Sequence, residues 1–152
     1  MTQEQLLTEN IAAKKARKPY AYYHENYGIT LPHSDVVDAA ERILEAKGQE
    51  SGAGIQVLDL GCGQGRNSLY LYDRGFEITS VDHNPNMLGM LESIVERENL
   101  PENAISRKLY DINTASVIGK YDFIISTVVL MFVDKTCVPN ILRNMQESTK
   151  HG

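Results

Sequence analysis

The stretch VLDLGCGQGRN, Val57 to Asn67, places three glycines within five residues directly after an apolar run. Glycine reaches backbone conformations that other residues avoid, and it lets a ligand approach the main chain closely. A glycine cluster behind a buried strand therefore indicates either a tight turn or a ligand-binding loop. The remainder of the sequence has to decide between these two roles.

The composition is that of a globular protein with one substantial core. The chain has 152 residues, 42% of them hydrophobic, which is enough for a single domain. Its net charge of −5 argues against a nucleic-acid or anionic-membrane surface. Its apolar runs are too short to cross a bilayer, and its first residues lack an apolar signal segment. Cys62 and Cys137 lie far apart and predict neither a metal site nor a disulfide. We expect a cytoplasmic protein.

Residues 1–47 predict a helical segment. Thr2 and Gln5 have the spacing of a capping box, and Pro19 ends a first helix that runs from Thr2 to Lys18. The basic residues before Pro19 suit the negative end of that helix better than they suit a nucleic-acid patch. An aromatic loop, YAYYHENYG, follows, and Ser34 is the predicted N-cap of a second helix.

Residues 48–152 alternate strand and helix patterns after the glycine-rich linker KGQESGAG. The predicted elements are strands Ile55–Leu60, Phe76–Val81, Ala104–Leu109 and Tyr121–Ser126, with helices at Arg66–Arg74, after Asn84, and around Ile141. Such alternation implies right-handed crossovers and a parallel sheet. We therefore predict an α/β fold: a Rossmann-like doubly wound sheet of about four strands, with an N-terminal helical domain (1–47) and a cofactor-binding domain (48–152).

In a doubly wound sheet the loop after the first strand of the series is the expected ligand site. A dinucleotide fold requires GxGxxG there, so that a third glycine packs closely around a pyrophosphate. Here Gly61, Gly63 and Gly65 give GxGxG, and Arg66 occupies the position of the third glycine. The spacing weakens the pyrophosphate interpretation.

The sequence VLDLGCGQG resembles the first motif of Rossmann-like methyltransferases that depend on S-adenosylmethionine. By that resemblance Gly61 and Gly63 accommodate the methionine portion and the sugar of the cofactor. Asp59 orients its amino group, directly or through water. Asp82, with His83 beside it, ends the second strand and accepts hydrogen bonds from the ribose hydroxyls.

The resemblance also places Asp111 against the adenine amino group and Ile112 against the ring. Each acid taken alone also fits a local structural role: Asp59 as a turn residue, Asp82 before a helix cap and Asp111 in an Asx-turn. Three acids at the ends of three successive strands, together with the glycine loop, favour the cofactor site.

Four further stretches, LDLGCGQGRNSLYL, YDFIISTVVLMF, NMQESTK and LPHSDVVDAA, resemble the tellurite-resistance methyltransferases called TehB. The likeness extends from about Tyr22 to Gly152. It implies that His33 and the loop around Tyr27 lie over the cofactor. It also implies that four residues border the site, Arg66 and Asn67 at the glycine loop and Thr127 and Val128 after the fourth strand.

The resemblance implies methyl transfer to a small oxyanion, tellurite or selenite, whose lone pair needs no general base. Arg66 and His33 are the candidates to hold such an anion, and no catalytic residue is assigned. A methyltransferase for another small molecule, and a non-catalytic module that binds S-adenosylmethionine or S-adenosylhomocysteine, are the alternatives. The family's C-terminal strands are expected to be absent after STKHG, which leaves the fourth strand as an edge and predicts self-association.

Overall fold

A computed structural model of the chain describes residues 2–5, 18–113, 119–127 and 129–150. Helices α1 (Tyr22–Tyr27) and α2 (Ser34–Lys47) precede the alternating series β1 (Gln56–Leu60), α3 (Arg66–Asp73), β2 (Glu77–Asp82), α4 (Pro85–Arg97), β3 (Ile105–Leu109), β4 (Phe123–Ile125) and α5 (Val138–Ser148). The predicted alternation is confirmed. No helix among these residues has the length and apolar character to span a membrane.

The sheet has four parallel strands in the order β3-β2-β1-β4. Leu58 of β1 stands opposite Thr79 of β2 on one side and Ile124 of β4 on the other. The chain thus builds outward from β1 in one direction and then crosses to its other side. The carboxyl end of β1 is therefore the point where strand order reverses, and doubly wound sheets bind ligands there.

Alternate residues of β1 enter two separate clusters, one on each face of the sheet. Val57 packs in the larger cluster, and Leu58 and Leu60 pack in the smaller one. The larger cluster also contains Tyr23 of α1 and Ala40 of α2, so the N-terminal helices share a core with the sheet. The division of the chain into two domains at Lys47 stays a prediction.

The prediction of a loop for the aromatic segment is wrong, because Tyr22–Tyr27 forms a helix. Gly28 ends it in the left-handed conformation, with φ 68°, and donates its N–H to the carbonyl oxygen of His24. Tyr22 and Tyr27 both donate hydroxyl hydrogen bonds to Glu98. These long-range contacts fix a helix that the local sequence does not signal.

Two of the predicted helix caps form, and the third is formed by a neighbouring residue. The capping box is present, since the N–H of Thr2 donates to Oε1 of Gln5 (2.8 Å) and the N–H of Gln5 donates to Oγ1 of Thr2 (3.2 Å). The predicted helix continues into residues 6–17, which lie outside the described part of the chain. Asn84 caps α4 as predicted, but the N-cap of α2 is His33 and not Ser34. The imidazole Nδ1 of His33 accepts the N–H of Asp35 at 3.2 Å, which serves the function expected of the serine hydroxyl.

The fourth strand is shorter than predicted. The ladder with β1 extends over Phe123–Ile125. Tyr121, near the predicted start of the strand, instead forms an isolated parallel bridge to Thr149. Asp122 contacts the first residue of β1 twice: its N–H donates to the carbonyl oxygen of Gln56 at 2.8 Å, and its carboxylate accepts the N–H of Gln56 at 2.7 Å. Ser126 and Thr127 then leave the strand at the carboxyl edge of the sheet, next to the glycine loop.

Candidate functional site

The glycine loop is attached to the end of β2 by backbone hydrogen bonds. Gly61 and Cys62 both donate their N–H groups to the carbonyl oxygen of Val81, at 2.8 and 2.9 Å. Gly63 donates its N–H to Oδ2 of Asp82 at 2.9 Å. Two adjacent strand ends therefore form one unit at the carboxyl edge of the sheet.

The glycines of the loop have different surroundings. A Cβ on Gly65 would lie 2.6 Å from Cδ1 of the fully buried Leu91, and φ at this position is +90°. Gly63 also has a positive φ, +56°, yet nothing lies within 4 Å of the place its Cβ would take. Packing thus explains Gly65, whereas the backbone at Gly63 faces open space that a ligand can enter.

Asp59 is the most unusual residue of the site, since its carboxylate is 1% exposed. Its Oδ2 accepts the hydroxyl of Ser68 at 2.6 Å, and that hydroxyl also lies 2.6 Å from the hydroxyl oxygen of Ser80. Its Oδ1 has no hydrogen-bond partner among the described residues. Burial raises the pKa of Asp59 to about 6, although the Ser68 hydrogen bond and the nearby Arg66 charge oppose the rise. A buried acceptor without a partner costs free energy and indicates a place for a donor group.

Asp82 holds the loop and keeps acceptor capacity for a ligand. Its Oδ2 accepts from Gly63 and its Oδ1 accepts the N–H of Asn84 at 2.9 Å. A carboxylate has about four lone-pair positions, so each oxygen can accept another hydrogen bond. His83 is exposed, and its Nδ1 lies 3.6 Å from Oδ1 of Asp82.

The side chain of Asn67 brings His33 and Thr127 together. The side-chain amide of Asn67 accepts the N–H of His33 at 2.9 Å and donates to the hydroxyl of Thr127 at 3.1 Å. Arg66 donates from one guanidinium nitrogen to the carbonyl oxygen of Leu31 at 3.2 Å. The predicted neighbour of Thr127, Val128, lies outside the described residues.

Tyr27 is not brought to the glycine loop. Its hydroxyl donates to Glu98, which raises the pKa of Tyr27 to about 12. Glu98 follows the last residue of α4, whose thirteen residues span about 20 Å, and α4 begins at the carboxyl edge of the sheet. The contact therefore fastens α1 near the opposite edge, where Lys18 also pairs with Glu98 at 2.9 Å.

Asp111 and Ile112 follow the end of β3, and the contacts described below are with other protein groups. Asp111 is exposed, and its Oδ1 accepts the N–H of Asn113 at 2.9 Å, as in an Asx-turn. Ile112 packs against the smaller hydrophobic cluster, which contains Leu60 and Tyr121. Their predicted roles toward an adenine ring stay predictions.

Ser68 and Ser80 were not among the residues expected at the site. Both are fully buried, and they link Asp59 to α3 and β2. The sequence carries a weak signal for Ser68, which falls within the apolar face of a predicted helix. Most buried serine hydroxyls have a hydrogen-bond partner, but that partner could not be named from the sequence.

The family model described as "TehB: Tellurite resistance protein TehB" matches residues 16–152. The chain belongs to the TehB family. It is 50% identical over 131 residues to the "Probable S-adenosyl-L-methionine-dependent methyltransferase TehB" of Haemophilus influenzae strain 10810, which covers 86% of this chain and 42% of that protein. It is 37% identical over 131 residues to hemagglutinin 1 of Eikenella corrodens, which covers 86% of this chain and 40% of that protein.

The crystal structure of TehB from Haemophilus influenzae superposes with a TM-score of 0.75 and 48% identity, covering 88% of this chain and 42% of that chain. The Rossmann-like fold predicted from the sequence is thereby confirmed. This TehB-family chain spans about two fifths of the length of the curated relatives that it matches.

The buried Asp59 predicts an unusual dependence of stability on pH. Because its pKa rises from 3.8 to about 6 on folding, the folded chain binds more protons than the unfolded chain between these values. The free energy of unfolding should therefore fall as pH rises from 4 to 6, and the loss should be complete above pH 6. Asp59→Asn cannot ionise and should be more stable than the parent at pH 7 by about 1–3 kcal/mol, measured by urea unfolding without ligand.

Asp122→Asn is the matched control because it should behave in the opposite way. The N–H of Gln56, followed by Lys150, lowers the pKa of Asp122 below 3.8. This substitution should therefore destabilise the protein by a constant amount above about pH 4, and by progressively less as pH falls below that value. Identical pH profiles for the parent and Asp59→Asn would contradict a raised pKa for the buried Asp59.

Proposed function

We propose that the chain binds S-adenosylmethionine and serves methyl transfer to a small oxyanion, tellurite or selenite. The observation that carries the cofactor assignment is the unpartnered Oδ1 of buried Asp59 at the switch point of the sheet. It lies at the end of the strand that leads into the loop containing Gly63, whose Cβ side is open. The family's description as a tellurite resistance protein supports the substrate.

The chemistry of the residues at this edge fits the cofactor. Asp59 offers an acceptor to an amino group, and its ionised form favours the positive charge on that group. Asp82 offers lone pairs on two oxygens to vicinal hydroxyls. The GxGxG loop has Arg66 in place of the third glycine of a pyrophosphate-binding loop, which suits a cofactor that contains no phosphate. When bound, S-adenosylmethionine supplies an electrophilic methyl group on a sulfonium.

An oxyanion acceptor needs donors that hold it without taking a proton from it. His33 provides one: its Nδ1 accepts the N–H of Asp35, so its proton resides on Nε2, which remains a donor. Arg66 provides a second, since among the described residues its guanidinium donates to a neutral carbonyl, that of Leu31. In this proposal both residues hold the anion and the transfer takes place in the cytoplasm. The nucleophile's own lone pair attacks the methyl carbon, so positioning is the principal task of the protein.

The first test uses S-adenosylhomocysteine, the demethylated product, in titration calorimetry with the ligand-free chain. Gly63→Ala should cost only about 1–2 kcal/mol of stability, because its backbone conformation is left-handed while the space beside it is open. The added methyl group should nevertheless block the ligand and reduce its affinity at least 100-fold.

Gly65→Ala is the control at the neighbouring glycine. Its Cβ meets Leu91 in the core, so the substitution should lower the urea midpoint more than Gly63→Ala does. Undiminished binding of the product by Gly63→Ala, or no binding by the parent, would refute the assignment of this loop to the cofactor.

The second test concerns Asp82 and the ribose. Asp82→Ala removes an acceptor for the hydroxyls and also the anchor of Gly63, so affinity alone cannot separate the two effects. The parent should bind the product about 10–100-fold more tightly than the analogue that lacks the 2′-hydroxyl, a difference of about 1–3 kcal/mol. Asp82→Ala should bind both ligands equally weakly, and a preserved preference for the hydroxylated ligand would exclude Asp82 as its partner.

Self-association through β4 is a separate part of the proposal. The outer side of Phe123–Ile125 pairs with no strand among the described residues, and the nearest pairing there is the bridge from Tyr121 to Thr149. The strand itself bears no charge, and Met131 and Phe132 nearby are 72% and 82% exposed. The other edge strand, β3, carries Arg107 and Lys108, and charges of this kind discourage edge pairing.

Light scattering coupled to size-exclusion chromatography should detect a dimer or larger species at tens of micromolar. Phe132→Glu should shift the chain toward the monomer, because it places a charge in the apolar surface beside β4. Leu109→Glu, at a 65% exposed position of β3, should leave the assembly unchanged. A parent that is monomeric throughout would refute self-association through this edge.

A further inference from the structure

Asn67 is the second residue of α3 and is only 3% exposed. Its Oδ1 accepts the backbone N–H of His33, 34 residues away, at 2.9 Å. Its Nδ2 donates to Oγ1 of Thr127, 60 residues away, at 3.1 Å. One buried amide thus joins three segments of chain that are distant in sequence.

The three segments surround the carboxyl end of β1. Asn67 lies immediately behind the glycine loop, His33 caps α2, and Thr127 follows β4 by two residues. The orientation of the amide is determined, since the N–H of His33 can only donate and therefore faces the carbonyl oxygen. The NH₂ group is then directed to Thr127.

The exposure of Asn67 bears on how it acts. An amide that is used at both ends and almost fully buried has little surface left for a ligand. His33 is constrained twice, because Asn67 holds its backbone N–H and Asp35 occupies its Nδ1. The ring is therefore held in one orientation, which fixes the direction of its Nε2–H. The side chain of His33 remains 33% exposed.

We propose that Asn67 is a positioning residue that fixes the separation of His33 and Thr127 across the cofactor site, rather than a residue that contacts the cofactor. This inference rests on the proposed function for its ligand, but the hydrogen bonds on which it depends exist without one. The sequence analysis expects Asn67 to border the site, and in this proposal Asn67 does so without touching S-adenosylmethionine.

The first measurement is amide hydrogen exchange by NMR on the ligand-free chain. Asn67→Ala should speed exchange at the His33 N–H at least tenfold relative to Leu69, a fully buried residue of the same helix that reports general unfolding. Asn67→Asp keeps an acceptor for His33 and can accept the Thr127 hydroxyl, so it should retain the protection. Asn26→Ala, at an exposed asparagine bonded to the Tyr22 carbonyl, should leave His33 unchanged.

The second measurement is the affinity for S-adenosylhomocysteine in a double-mutant cycle. Asn67→Ala and Thr127→Val should each weaken binding, by about tenfold for Asn67→Ala, and the double variant should be no weaker than Asn67→Ala alone. Additive losses, or an unchanged affinity in Thr127→Val, would mean that Asn67 acts by direct contact and would overturn the inference.

The positioning role of Asn67 and the proposed function can be refuted independently of each other. Unaltered exchange at His33 in Asn67→Ala would overturn the positioning role even if the parent binds the product normally. A parent that does not bind the product refutes the proposed function, while the exchange result still decides whether Asn67 fixes His33.

Discussion

The hydrogen bond from the N–H of Gly63 to the carboxylate of Asp82 is the contact on which the site depends. It joins the loop after β1 to the end of β2, so a turn that contains three positive-φ glycines has one defined path. The other oxygen of the same carboxylate accepts the N–H of Asn84, the N-cap of α4. One side chain therefore determines where the loop lies and where the next helix starts. Both features must be in place before the open side of Gly63 can receive a ligand.

The buried Asp59 shows that the edge of the sheet is not arranged for stability alone. A carboxylate that is 1% exposed, with one oxygen unpartnered among the described residues, costs more than an apolar residue of the same size. Ser68 and Ser80 offset part of that cost by supplying hydroxyl groups on the other oxygen's side. In the proposed function, a cofactor amino group that donates to Oδ1 would offset the remaining cost. Destabilised polar groups of this kind characterise functional sites.

The order of elements and the carboxyl-edge site could be predicted from the sequence, because both depend on local periodicity. Apolar strands, the GxGxG loop and the Asn84–Pro85 cap all lie within short windows. The errors have a different origin. Tyr22–Tyr27 becomes a helix and Tyr27 moves away from the site because both Tyr22 and Tyr27 bond Glu98, more than 70 residues later in the chain. The backbone N–H of His33 likewise donates to Asn67, and no periodicity encodes a pairing across 34 residues.

Cys62 connects the electrostatics of the loop to the chemistry proposed for it. Its thiol is buried between the two acids of the site, and burial, reinforced by the charges of Asp59 and Asp82, raises its pKa well above the usual range. The thiolate is the nucleophilic form of cysteine, so the side chain stays protonated at neutral pH. A thiolate at this position would compete with the intended acceptor for the methyl group of a bound sulfonium. The same low-polarity surroundings that raise the pKa of Asp59 therefore keep the loop's own sulfur unreactive.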